Sequence, residues 1–162
     1  MNGVPADVIL IRMSQPGPDR TLMAEEERLW TELHLLVDSL PQDKVEEPGY
    51  FAEGWSAKDL VAHIGSWLAE AGVVLERIRF GTYRPDEIDI DVMNETFYDA
   101  MHDVAFSDVK AQGIAARNRM LRAWRSIPED SPEADRWISK SGPEHYEEHL
   151  PRLRDWVKEL GR

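Results

Sequence analysis

The chain has no cysteine among its 162 residues. That absence excludes disulfides, thiolate metal ligands and a cysteine nucleophile. Any metal here must take His, Asp, Glu, Asn or water as ligands. If thiol chemistry occurs, a small molecule must supply the sulfur. Long apolar runs are also missing, and nothing approaches the length of a membrane span. A signal-peptide pattern is lacking: "VILI" near the N-terminus is too short an apolar core, and no basic region precedes it. Positive charge is scarce. Nineteen Lys and Arg face 31 Asp and Glu, for a net charge of -12. Such a balance repels phosphate backbones and anionic lipid, so neither nucleic acid nor membrane is an expected partner. The expectation is a cytoplasmic protein with a core of its own.

Strand alternation is absent after residue 20, and no repeat is visible. What is present is helical spacing. Residues 1–19, "MNGVPADVILIRMSQPGPD", differ from the rest and read as a flexible arm ending in a Pro/Gly linker. Residues 20–162 read as one bundle domain. Leu22, Leu29, Leu33, Leu36 and Leu40 recur at helical steps until Pro41 closes the run, and "QDKVEEPGYFAEG" reads as a loop. A second helix opens at Ser56, with Asp59 three residues on as a capping box, and its apolar stripe runs to Ile78. "FGTYRPDEID" interrupts it and is long enough to cross over the bundle. A shorter helix is expected over 92–104. Another is expected from a Ser107 cap to about Ile127, and "PEDSPEAD" reads as a loop. Ser141 and Glu144 form a capping-box pattern for the last helix, with Pro143 in its first turn and Leu150, Leu153, Trp156 and Leu160 on its apolar face. Pro151 predicts a bend in it. The fold class is therefore all-α, a four-helix bundle with a long crossover between helices 2 and 3.

Three of the five histidines fall on inward stripes. His145 and His149 lead by helical steps into Leu153, Trp156 and Leu160. His63 lies between Leu60 and Trp67. An i, i+4 pair places both rings on one side of an ion, and a third ring from a facing helix leaves coordination positions open. A divalent cation would also satisfy buried imidazoles that repel one another when protonated. The bland alternatives are a satisfied core histidine and a helix surface that happens to carry His. The pattern is not HExxH, since Tyr146, Glu147 and Glu148 intervene. Asn94, one turn before Phe97 and Tyr98, is a candidate to face a bound ligand, or simply a polar residue near a helix start. Asp59 and Glu70 are candidate acceptors for His63, or a cap and a solvated residue. His34 and His102 match no pattern. Trp30, Trp67, Trp124 and Trp156 read as core.

At these residues a resemblance becomes visible. "GWSAKDLVAHIGSWLAE" together with "HYEEHLPRLRDW" resembles the DinB/YfiT-like superfamily of four-helix-bundle metalloenzymes. That superfamily includes the N-terminal domain of mycothiol-dependent maleylpyruvate isomerase, bacillithiol transferases and ClbS/DfsB-type proteins. "DVMNETFYDA" is similar to the segment that opens the third helix in several members. The resemblance covers roughly residues 22–160. It implies a divalent metal, zinc or nickel, held by one residue of the second helix and a pair four apart on the last. Here these are His63, His145 and His149. In the isomerase-like branch the first of the pair is glutamate, so His145 favours the all-histidine branch. The resemblance implies a metal-dependent enzyme acting on a small electrophile by thiol transfer, isomerisation or hydrolysis, with a low-molecular-weight thiol as a possible cosubstrate. It also implies a homodimer, for which the "VILI" arm is a candidate contact. The alternative is a non-enzymatic dimeric bundle that sequesters a small molecule or mediates an interaction.

Overall fold

Ser56 and Asp59 form the expected box. Ser56 Oγ accepts from the Asp59 backbone N–H at 3.1 Å, and Asp59 accepts from the Ser56 N–H at 3.0 Å. From that cap α3 runs as Ala57–Arg79. In the computed structural model, which describes residues 19–49, 51, 54–128 and 130–160, the elements are α1 (Arg20–Asp38), α2 (Gln42–Val45), α3, α4 (Ile90–Met101), α5 (Phe106–Arg125), α6 (Pro132–Ser141) and α7 (Pro143–Leu160). No strand occurs among the described residues. The expected arm, with "VILI", lies outside them. Asp19, the last residue assigned to it, is the N-cap of α1 and accepts from Thr21 N–H at 2.8 Å.

The long helices pack as two pairs, α3 against α5 and α1 against α7. Small residues set the first crossing. A Cβ on Gly65 would stand 3.1 Å from the Gly113 Cα, and one on Gly72 would stand 3.6 Å from the Met120 backbone. The two backbones therefore approach closely between Gly65 and Gly72 of α3. The core between the pairs is made by Leu29, Leu33, Leu60, Ile64, Leu68, Met120, Leu150 and Leu153. Residues 80–89 cross from α3 to α4, as expected of "FGTYRPDEID".

Four local expectations are corrected. "QDKVEEPGYFAEG" is only partly loop, since its first four residues form α2, with Val45 buried. "PEDSPEAD" is only partly loop: Ser131 caps at Ala134 N–H and α6 begins at Pro132. Because α6 ends at Ser141 and α7 starts at Pro143, Ser141 is not a free cap. Glu144 instead accepts from Ser139 Oγ (2.7 Å) and Lys140 Nζ (2.5 Å). Gly142 makes the join possible, since a Cβ there would meet the Ile138 carbonyl at 2.8 Å. Finally, α5 is capped by Ala105 without a side-chain bond, two residues before the expected Ser107. α7 continues through Pro151 as one helix.

A buried ionic knot fixes α7 against α1 and α5. Glu26 has no exposed surface. It accepts from Arg117 Nε at 2.8 Å and Arg117 Nη2 at 2.6 Å, and from the Tyr146 hydroxyl at 3.0 Å. Arg117 also lies 5.1 Å over the Trp30 ring. Burial and the Glu26 carboxylate hold the Tyr146 hydroxyl protonated, its pKa well above the usual value. Since Tyr146 follows His145, the knot sets the rotation of α7 where the histidines project.

Candidate metal centre

α3 carries His63 and α7 carries His145 and His149, and the bundle brings all three together. Their ligand nitrogens lie within 4.8 Å of one another. His63 Nε2 and His145 Nε2 stand 2.8 Å apart. The ring centroids are separated by 4.7 Å (His63–His145), 5.3 Å (His63–His149) and 4.9 Å (His145–His149). His63 and His145 are buried and His149 is half-buried.

The electrostatics favour neutral rings. Burial, reinforced by His145 and His149, lowers the His63 pKa to about 3. Burial and His149 lower that of His145 to about 3, against a raising hydrogen bond with the Ser141 backbone. His63 Nδ1 is buried without a hydrogen-bond partner. An unsatisfied buried nitrogen costs about 1–3 kcal/mol. Two imidazoles held neutral by burial, with the His149 ring nitrogen within 4.8 Å of them, are a donor set suited to a borderline cation. A zinc ion with bonds of about 2.0–2.1 Å and tetrahedral angles needs nitrogens about 3.3 Å apart. The observed spacing brackets that value, so small ring movements admit the ion.

The centre forms the floor of a cavity of about 710 Å³. α3 supplies Trp67 to its wall. The crossover and the start of α4 supply Tyr83, Asp86, Ile88, Ile90 and Asn94, and α6 supplies Glu133, Arg136 and Trp137. Asn94 lines this cavity, and its Oδ1 accepts from Trp67 Nε1 at 2.9 Å. Trp67 is therefore a cavity residue rather than core. Trp30, Trp124 and Trp156 are buried, as expected.

Asp59 does not orient His63. Its carboxylate serves the Ser56 cap and accepts from His102 Nδ1 at 3.0 Å. Those hydrogen bonds hold its pKa below the usual carboxylate value, against the burial that would raise it. His102 thus has a partner that no local pattern signalled, 43 positions away. It stacks on Tyr98 at 4.6 Å, Tyr98 stacks on Trp55 at 6.2 Å, and Trp55 lies 4.8 Å from His63. Trp55 stands in the "GWSAKDLVAHIGSWLAE" stretch that carries the resemblance, whereas Trp137, just past the expected loop, is signalled by no local pattern. Glu70 lies outside the cavity wall.

Among the described residues no helix is long and apolar enough to cross a membrane. No curated protein matches the chain. A solved structure of an uncharacterised protein from Escherichia coli UTI89 matches with a TM-score of 0.75 at 18% identity, over 92% of this chain and 98% of that one. At that identity the likeness speaks for the helical fold alone. The family model described as the mycothiol maleylpyruvate isomerase N-terminal domain matches residues 27–157, a span that contains all three histidines. By that match the chain belongs to the mycothiol maleylpyruvate isomerase N-terminal domain family, of DinB/YfiT-like type.

Proposed function

We propose that this protein is a metal-dependent enzyme acting on a small electrophile by thiol transfer, isomerisation or hydrolysis. One observation carries the reading: three converging imidazoles, two of them held neutral by burial, at the floor of a cavity of about 710 Å³. That volume lies within the range of small-molecule sites, about 300–1,000 Å³. His63, His145 and His149 hold zinc or nickel. A divalent ion in this setting supplies Lewis acidity, lowering the pKa of a bound water or thiol so that a nucleophile exists near neutral pH. The chain's own groups do the rest. The hydrogen bond with the Ser141 backbone fixes the His145 ring, leaving Nε2 to face His63. Trp67 occupies the Asn94 oxygen, so Asn94 offers its amide N–H groups to a substrate oxygen. Trp55, Trp67 and Trp137 exclude water from the substrate's apolar part. Because the chain has no cysteine, a thiol route draws its sulfur from a low-molecular-weight cosubstrate.

The test is metal content by elemental mass spectrometry on untagged protein purified without added metal. About one zinc or nickel per chain, lost in His149→Ala, is expected. The loaded protein should then turn over electrophiles with a thiol or with water, and the variant should not. Wild-type protein that carries no metal and takes none up on titration would sink the reading.

A further inference from the structure

The cavity over the three histidines has an uneven charge. Four carboxylates line it, those of Asp86, Asp91, Glu133 and Glu148, against two cations. The cations are already engaged. Arg136 is ion-paired with Glu133. Lys140 is ion-paired at 2.5 Å with Glu144, which lies outside the lining. Glu133 is further engaged by the Tyr83 hydroxyl at 3.2 Å. The pairs cancel, and Asp86, Asp91 and Glu148 remain, all exposed towards solvent. Three negative charges outnumber the two positive charges of a divalent ion on the floor. The balance at the mouth stays negative whether or not the centre is loaded, and the whole chain, at -12, adds to it.

The other walls are aromatic. Trp55, Trp67 and Trp137 line the cavity beside Tyr83, and Trp137 Nε1 donates to the Tyr83 hydroxyl at 3.3 Å. Aromatic faces and carboxylates both attract cations, and neither favours a carboxylate substrate. That Ile88 and Ile90 are exposed while lining the same space adds an apolar contact on the crossover side.

We infer that the substrate class of this site is a neutral or cationic apolar molecule, with a dicarboxylate disfavoured by the uncompensated Asp86, Asp91 and Glu148 at the mouth. This inference rests on the proposed site, though its charge argument does not require the metal. The specificity arises from repulsion of the wrong charge as much as from attraction of the right one.

The experiment compares two probes of one shape and opposite charge, benzyltrimethylammonium and toluenesulfonate. Neither carries a good metal ligand. Binding to the full chain is followed by tryptophan fluorescence, metal-free and zinc-loaded, in low and high salt. The cation is expected to bind at least about tenfold tighter at low salt, with the ratio shrinking as salt rises. In the triple variant Asp86→Asn, Asp91→Asn, Glu148→Gln the ratio should fall towards one, while the circular dichroism melt and zinc uptake stay unchanged. Tighter binding of the sulfonate, no binding of either probe at millimolar concentration, or a ratio untouched by the triple variant would overturn the inference. A retained ratio in a protein that takes up no zinc would overturn the metal reading alone.

Discussion

Two buried polar clusters sit side by side on α7, and they are built on opposite plans. Tyr146 belongs to the knot with Glu26 and Arg117. There a carboxylate meets a guanidinium fork and a hydroxyl, and each group finds its complement. His145, the preceding residue, belongs to the other cluster. There three groups of one kind face one another, two with pKa values lowered to about 3, and His63 Nδ1 has no partner. The first cluster is complete without anything added. The second is a set of ring nitrogens within 4.8 Å of one another that one divalent cation would bridge. Adjacent positions on one helix thus serve stability and ligand capture separately, and the knot holds the rotation that aims the histidines.

The largest effect should come from breaking the complete cluster. Arg117→Met leaves Glu26 buried without its counter-charge, and a loss of about 3–5 kcal/mol is expected in denaturant melts. If the variant folds, its zinc stoichiometry should match wild type. Full stability in Arg117→Met would erase the distinction drawn between the clusters.

Filling the second cluster should have the next largest effect. Zinc at about a hundred times its Kd should raise the unfolding free energy by about 2.7 kcal/mol, because the unfolded chain has no preformed site. The stabilisation should vanish in His149→Ala. Equal zinc stabilisation in the variant would place the ion elsewhere.

Acid should sharpen the contrast without metal. His63 and His145 have folded pKa values of about 3, below the unfolded value of about 6.5. Between those limits the unfolded chain binds the extra protons. Stability is therefore full above about pH 6.5 and falls as pH drops towards 3, by at most about 1.4 kcal/mol per pH unit for each ring. The metal-free His63→Asn, His145→Asn variant should show a shallower slope in melts from pH 7 to 5. An unchanged slope would mean that these rings do not carry the effect.

The smallest effect should be at Asp59. Asp59→Asn leaves one acceptor oxygen where the carboxylate has two, so it serves the Ser56 cap or His102 but not both, at about 1 kcal/mol. Zinc affinity should stay within severalfold of wild type, since Asp59 makes no hydrogen bond to His63. A tenfold or greater loss of affinity would restore Asp59 as a residue that orients the ligand.

Much of this was legible in the residue order. The α3 box is a local pattern, because Ser56 and Asp59 are three apart and their bonds are within one turn. His145 and His149 share a face by helical geometry, and His63 joins them because it continues an apolar stripe. What was not legible depends on contacts remote in sequence or on turns with weak signals. α6 opens with Pro132, Glu133 and Asp135, residues equally at home in a loop, and it buries only Ala134, Ile138 and Ser141. Missing it hid Trp137 and Arg136 from the cavity wall. The Ser141–Glu144 pattern looked like a cap because nothing local shows that a helix already ends at Ser141. The His102–Asp59 bond and the Glu26–Arg117–Tyr146 knot join residues 43 to 120 positions apart, where spacing carries no information.

The most direct test of the central claim is anomalous diffraction from crystals grown with zinc, recorded on both sides of the zinc edge. The account predicts one strong peak per chain, within bonding distance of a ring nitrogen of His63, His145 and His149, and no such peak in His149→Ala. A wild-type map without a peak among these three rings, or with the ion held by other residues, would contradict it.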